Sequence, residues 1–190
     1  MRDTVFFKQA ELLLRVLPLI QTESVFALKG GTAINFFVRD LPRISVDIDL
    51  VYLPVNDRET ALGQMSDALN RVSGMIERKV PGTQIVQKKI SGGDFLKGMI
   101  VRREGVTVKI EPNLVLRGAV YEPETRLLCT KAEELFELSM EIRTLSTGDS
   151  TEVRPAPPSI GSIPEIFLMS AFCSAMKAFR SRSGKPSLCI

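Results

Sequence analysis

The chain has 190 residues, of which 44% are hydrophobic and 25% are charged, with 25 Lys and Arg against 22 Asp and Glu. This length and composition predict one globular domain, or one domain plus an appendage, and they exclude wholesale disorder. The net charge of +3 does not by itself predict nucleic-acid binding, and the absence of histidine excludes a Ser-His-Asp triad, a Cys-His dyad and most zinc sites.

Helix and strand patterns alternate over the first half of the chain. Apolar residues recur at helical spacing over residues 5–21 and again over residues 57–76. Between them, a short buried element at Val25–Leu28 precedes a glycine turn. The residues that follow the turn, 33–38, predict a short helix with Thr32 as its N-cap.

Residues 45–53 predict a strand because apolar and polar residues alternate there. The apolar face would carry Val46, Ile48 and Leu50. The polar face would carry Ser45, Asp47 and Asp49.

The second half begins with three further strand candidates, which span residues 84–90, 95–102 and 106–111. Residues 131–145 then predict an amphipathic helix. We therefore predict an α/β fold in which helices pack on a mixed β-sheet.

The cysteines give no sign of a metal site or of a disulfide framework. Cys129, Cys173 and Cys189 are widely spaced and odd in number. The sequence also shows no apolar signal segment and no run near the roughly 18 apolar residues of a membrane span. We therefore expect a cytoplasmic protein with no membrane partner.

Asp47 and Asp49 are candidate metal ligands because residues i and i+2 of a strand lie on one face, roughly 6.5 to 7 Å apart. Two unpaired carboxylates would repel each other, so a cation or a basic partner is expected beside them. Hard oxygen ligands without histidine or cysteine nearby suit Mg²⁺ or Mn²⁺.

The Gly30-Gly31-Thr32 turn is a candidate phosphate site. Its glycines allow close backbone approach, and the N-terminus of the predicted helix presents free N–H groups to an anion. Each motif alone is more often a plain turn or an exposed strand face. Their joint occurrence is typical of phosphoryl or nucleotidyl transfer.

The segment from Lys29 to Leu53 resembles the signature of the nucleotidyltransferase superfamily, in which Gly-Gly-Ser/Thr and a short helix precede Asp-x-Asp on the next strand. More narrowly, LKGGTAINFF, PRISVDIDL and VTVKIEPNLVLRG are similar to segments of the AbiEii/AbiGii family of bacterial toxin nucleotidyltransferases, whose relatives include the MenT enzymes. The resemblance covers roughly residues 5–148. It predicts that residues 1–148 form a nucleotidyltransferase core.

The resemblance implies metal-dependent transfer of a nucleotide from an NTP to an acceptor, which is RNA, tRNA or a protein. It also implies a toxin of a type IV toxin–antitoxin or phage-defence system, with a cognate antitoxin as partner. Asp47 and Asp49 would be catalytic and would hold Mg²⁺ or Mn²⁺. The nucleotide-binding candidates are Lys29, Gly30, Gly31, Thr32, Arg43 and Ser45.

A third acidic residue completes such sites from a neighbouring strand, and Glu111 is the candidate third metal ligand and catalytic acid. Lys109, on the same predicted face, would neutralise the triphosphate or hold the carboxylates in place. An ordinary solvated face with an internal Lys–Glu pair is the alternative. For Arg43, the alternative to a phosphate contact is a surface salt bridge.

Other basic residues would either follow an RNA backbone or form a solvated hairpin face. They are Lys88, Lys89, Lys97, Arg102 and Arg103.

The tail after about residue 149 departs from the family. Relatives continue with a Gly-Gly-Lys segment and a later stretch whose lysine and aspartates serve nucleotide binding and catalysis. Residues Thr151 to Met169 can be back-translated with permitted codons into a DNA sequence. When that DNA is read in a shifted frame, it can encode the missing segment. We therefore hypothesise that residues 149–190 are a frameshifted tail, which makes a catalytically inactive nucleotide-binding or interaction remnant the alternative function.

Overall fold

The computed structural model describes residues 4–146. Its helices are α1 (Val5–Gln21), α2 (Gly30–Ala33), α3 (Arg58–Lys79) and α4 (Thr130–Phe136), and α2 continues as a π-helical turn at Ile34–Val38. Its strands are β1 (Phe26–Lys29), β2 (Asp47–Tyr52), β3 (Gln84–Lys89), β4 (Leu96–Arg103), β5 (Val106–Arg117), β6 (Glu124–Leu127) and β7 (Glu141–Thr144). None of the helices within residues 4–146 combines the length and apolar character that a membrane span requires.

The strands form one mixed sheet in the order β3-β4-β5-β2-β1-β7-β6. At its centre, β2 pairs antiparallel with β1 and parallel with β5. The predicted α/β fold with a mixed sheet is therefore confirmed. Because β2 is flanked on both sides, its residues are held in register with two neighbours, and this register positions the candidate site.

The two long helices begin where their sequences supply a side-chain cap. The Thr4 hydroxyl accepts a hydrogen bond from the Phe7 N–H at the start of α1, and the Asp57 carboxylate accepts one from the Thr60 N–H at the start of α3. The apolar stripes of both helices pack into one core with one face of the sheet. The large, fully buried side chains of this core include Leu13, Leu17, Ile48, Leu50, Met65 and Leu69.

The alternation of β2 and β5 separates a buried face from a polar one. Ile48 and Leu50 of β2 and Val108 and Ile110 of β5 are buried in the core, as the sequence pattern predicted. The residues between them on the opposite face are exposed or half-buried, namely Asp47, Asp49, Thr107, Lys109 and Glu111. The candidate chemistry therefore lies on the face of the sheet opposite the core.

The prediction that Thr32 caps a helix over residues 33–38 is wrong. The helix begins at Gly30, and Lys29 is its N-cap. Gly30 has a φ of +74°, which lets the chain turn from β1 into α2 without a connecting residue. Thr32 consequently lies inside the helical segment, where its hydroxyl is free to bond another element.

β5 is longer than predicted because it continues past Glu111 to Arg117. The pairing with β2 shifts register between Leu50 and Tyr52, so the extra residues bulge outward. Asn113 stabilises this irregular stretch, since its side-chain oxygen accepts hydrogen bonds from two following backbone N–H groups.

The predicted helix over residues 131–145 is only half correct. α4 ends at Phe136 because Glu137 adopts a left-handed conformation with a φ of +54°. The chain then forms β7, which pairs with β6 and with β1, and neither β6 nor β7 was predicted. The predicted tail at residues 149–190, with Cys173 and Cys189, lies outside the described residues.

Candidate active site

The candidate catalytic residues lie at the centre of the sheet, in one transverse row and in the pair of positions two residues before it. Asp49 on β2 is directly opposite Lys29 on β1 and Glu111 on β5. Two residues earlier on β2, Asp47 is directly opposite Lys109. Residues opposite each other on paired strands project from the same face, so the structure brings three carboxylates and two lysines together on one surface.

The glycine turn lies directly against this row. A Cβ atom on Gly30 would lie 2.7 Å from the Asp49 Oδ2 atom, which is closer than a side chain tolerates. Only glycine at position 30 therefore lets the turn pack directly against the Asp49 carboxylate. The turn and the Asp-x-Asp pair, which the sequence linked only by spacing, are in contact.

Partial burial and neighbouring charges together determine the electrostatics of Asp49. Its carboxyl pKa is raised above 3.8, first because partial burial disfavours the charged form and then because the Asp47 and Glu111 carboxylates repel it. Lys29 opposes this increase in the pKa. Lys29 therefore only partly offsets the unfavourable surroundings of the Asp49 carboxylate, and a bound cation would supply further positive charge.

The donor chemistry fits a hard divalent cation, but the third ligand is not in place. Asp47 and Asp49 offer carboxylate oxygens on one face, as Mg²⁺ or Mn²⁺ requires. Within residues 4–146, however, no group of three or more His, Cys, Asp and Glu side chains could hold a metal ion as it stands. The residues present therefore fit a cation on the two aspartates, with Glu111 close in register but engaged elsewhere.

The partner that engages Glu111 is Lys88 on β3. Its Nζ atom lies 3.4 Å from Glu111 Oε1, although β4 separates the two strands. The sequence identified Lys88 only as one of several basic hairpin residues. Its pairing with Glu111 depends on strand order, which no local pattern reveals.

Thr32 and Ser45 tie the glycine turn to the start of β2. The Thr32 hydroxyl donates a hydrogen bond to the backbone carbonyl of Asp47, and its oxygen lies 3.0 Å from the Ser45 hydroxyl. Thr32 is only 1% exposed. Its side chain therefore holds the Asp-x-Asp strand against the turn, whereas Ser45 lies nearer the surface.

Three polar groups surround Gly31. A Cβ atom there would lie 3.2 Å from Ser45 Oγ, 3.7 Å from Arg43 Nη2 and 3.9 Å from the Asn35 side-chain nitrogen. Asn35 is 4% exposed, and its side-chain nitrogen has no hydrogen-bond partner among residues 4–146. The sequence analysis missed Asn35, although its position four residues after Gly31 on one helical face was a usable signal.

Several of the basic residues proposed to follow RNA have partners of their own. Lys89 pairs with Asp94 at 3.1 Å, and Arg103 pairs with Glu104 at 3.0 Å. Both pairs lie at the exposed ends of the β3–β4–β5 hairpins. Of the five basic hairpin residues, the structure connects Lys88 directly to the carboxylate row.

Residues 11–150 match the family described as "Nucleotidyl transferase AbiEii toxin, Type IV TA system". Among solved structures, the chain is similar to MenT4, a nucleotidyltransferase toxin from Mycobacterium tuberculosis H37Rv, with 14% sequence identity and a TM-score of 0.49. That match covers 76% of this chain and 51% of MenT4, so the chain spans about half of its length. No curated protein matches the chain.

Proposed function

The chain belongs to the AbiEii family of type IV toxin–antitoxin nucleotidyltransferases, and we propose that it uses a divalent cation to transfer a nucleotide from an NTP to an acceptor. The observation that carries this proposal is the contact between the Gly30 turn and Asp49, in register with Glu111. It combines a close backbone approach with a crowded set of carboxylates, and nucleotidyl transfer needs both features.

In this proposal Asp47 and Asp49 hold Mg²⁺ or Mn²⁺, and Glu111 is the third acid. When bound, the cation neutralises charge on the reacting phosphate as a Lewis acid. Lys29 and Lys109, in register with the two aspartates, keep the carboxylate row from excessive mutual repulsion. These lysines also provide positive charge for the polyphosphate chain.

The polyphosphate would approach the backbone at Gly31, where a side chain would crowd three potential hydrogen-bond donors. These donors are Arg43, Ser45 and the side-chain nitrogen of Asn35, which has no hydrogen-bond partner within residues 4–146. Thr32 contributes indirectly by fixing β2 against the turn. The arrangement would hold the NTP with its phosphates between the turn and the aspartates.

The reaction itself is a substitution at the α-phosphorus. The oxygen of an acceptor hydroxyl forms a bond to that phosphorus and gives up its proton to solvent. The bond between the α-phosphorus and the oxygen that bridges to the β-phosphate breaks, and pyrophosphate leaves with the electron pair. RNA or tRNA ends are the proposed acceptors, with a protein hydroxyl as the alternative. A cognate antitoxin and a cytoplasmic location are the remaining parts of the proposal.

The direct test is label transfer from each radiolabelled NTP to total RNA or protein in the presence of Mg²⁺. We expect Asp47→Asn and Asp49→Asn to lower transfer by about 100-fold or more, because each removes a metal-binding charge. Asp94→Asn is the matched control, since Asp94 is exposed and pairs with Lys89 at the β3–β4 turn, away from the carboxylate row. Equal activity of Asp49→Asn and Asp94→Asn would refute the catalytic assignment.

An inactive nucleotide-binding remnant is the second candidate, because no three-carboxylate metal group is assembled within residues 4–146. A thermal-shift assay, together with the label-transfer assay, distinguishes the two candidate functions. Stabilisation by Mg²⁺ and an NTP without any label transfer would indicate binding alone, since a ligand selective for the folded state raises its stability.

A further inference from the structure

The row of candidate catalytic residues continues across the sheet beyond Glu111. Lys88 on β3 is opposite Gly98 on β4, and the adjoining register places Gly98 beside Glu111 on β5. The row therefore runs from Lys88 past Gly98 to Glu111 and Asp49. Lys88 and Asp49 lie on opposite sides of Glu111.

Gly98 provides the gap through which Lys88 and Glu111 meet. A Cβ atom on Gly98 would lie 2.6 Å from the Ile110 carbonyl oxygen and 3.3 Å from Glu111 Cγ. The Glu111 side chain thus lies over β4, where any larger residue would displace it. The Lys88 Nζ atom reaches the Glu111 carboxylate from β3 and lies 3.4 Å from its Oε1 atom.

We propose that Lys88 is a positioning residue that holds Glu111 apart from the Asp47–Asp49 pair and thereby weakens cation binding until Glu111 is released. This inference rests on the proposed function, since it assumes that the aspartates bind a cation. The Lys88 ammonium and the cation compete for the same carboxylate, and two positive charges at neighbouring positions repel each other.

The exposure of the pair suits a reversible contact. The Lys88 and Glu111 side chains are 32% and 50% exposed, so water solvates both groups after they separate. An ion pair of this kind contributes little to folding stability. The ion pair therefore mainly determines the direction in which the Glu111 carboxylate points. Exchanging Lys88 for a cation as the partner of Glu111 costs little free energy.

The experiment measures Mn²⁺ binding to the nucleotide-free full chain by calorimetry, with electron paramagnetic resonance as a second readout. We expect Lys88→Met to bind Mn²⁺ about threefold more tightly, because Glu111 is then free to join the aspartates and an exposed ion pair holds it only weakly. Lys88→Arg should keep the wild-type affinity, since it retains the charge. Lys89→Met is the matched control because Lys89 pairs with Asp94 instead.

Each outcome supports or overturns the inference. Equal Mn²⁺ affinity of Lys88→Met and Lys89→Met would overturn it, as would weaker binding by Lys88→Met. Loss of the fold in both Lys88→Met and Lys88→Gln would also overturn it, because Lys88 would then be structural. If the wild type binds no Mn²⁺, or if Asp49→Asn leaves binding unchanged, the proposed metal site itself fails.

Discussion

The side-chain nitrogen of Asn35 is a buried polar atom that has no hydrogen-bond partner in the described part of the chain. Because an unsatisfied buried polar group costs about 1–3 kcal/mol, Asn35→Leu should raise the free energy of unfolding by about 1 kcal/mol. The same change removes a donor beside Gly31, so stabilisation by an NTP with Mg²⁺ should fall. Thermal unfolding with and without NTP measures both effects.

The opposite substitution provides the control for Asn35. Asn35→Asp has nearly the same shape but places a carboxylate where phosphate is proposed to bind. It should lower both stability and NTP binding, because a buried unpaired charge is unfavourable and repels an anion. If Asn35→Leu loses stability and retains full NTP stabilisation, Asn35 is an ordinary packing residue.

At single positions, the sequence predicted the residues with a local signature and missed those that depend on strand order. Asp47, Asp49 and Glu111 were recognisable from alternation and resemblance, and they occupy one face of adjacent strands. Lys88 was not recognisable as their neighbour. Its side chain reaches Glu111 only because β3, β4 and β5 are consecutive in the sheet and Gly98 lies between them.

Among the elements, α3 depends on its N-cap, and this dependence makes its stability sensitive to pH. Hydrogen bonds from the side chain and the backbone N–H of Thr60 lower the pKa of Asp57 below 3.8. A lowered pKa in the folded state means that the stabilisation is present above pH 3.8 and is lost as the pH falls through the folded value. Asp57→Ala should therefore lower Tm at pH 7, with a smaller difference from wild type near pH 3.

Asp57→Asn separates capping from charge. An asparagine retains a side-chain acceptor for the first turn but does not titrate, so its Tm should stay near wild type at pH 7. Circular dichroism melts of the three proteins between pH 3 and pH 7 provide the measurement. A constant gap between wild type and Asp57→Ala over this range would contradict the proposed role of the ionised cap.

The two long helices were predictable and the short strands β6 and β7 were not, for a physical reason. α1 and α3 have enough turns for their apolar stripes to be unambiguous. β6 and β7 have four residues each, and Ile142 of β7 fits a helical stripe as well as a strand alternation. What ends α4 is the left-handed backbone of Glu137, a residue type that seldom adopts that conformation.

Considered as a whole, the molecule forms its candidate site from strands at the centre of the sheet, with the core on the other face. β2 contributes Asp47 and Asp49, β1 leads into the glycine turn, and β5 contributes Glu111. These elements are in the part of the chain that matches the AbiEii family. The family resemblance nevertheless implies that a later lysine and later aspartates take part, and we predict that the sequence after residue 149 does not supply them.

The hypothesis of a frameshifted tail predicts that restoring the second reading frame strengthens catalysis. We expect a chain recoded over residues 151–169 to transfer nucleotides about tenfold faster or more, because a further lysine would stabilise charge on the phosphates. Label transfer by the recoded and present chains measures the gain, and Asp49→Asn in the recoded chain shows whether the same site is responsible. Codons in the gene that cannot encode the second reading would refute the hypothesis, as would equal activity of the two chains.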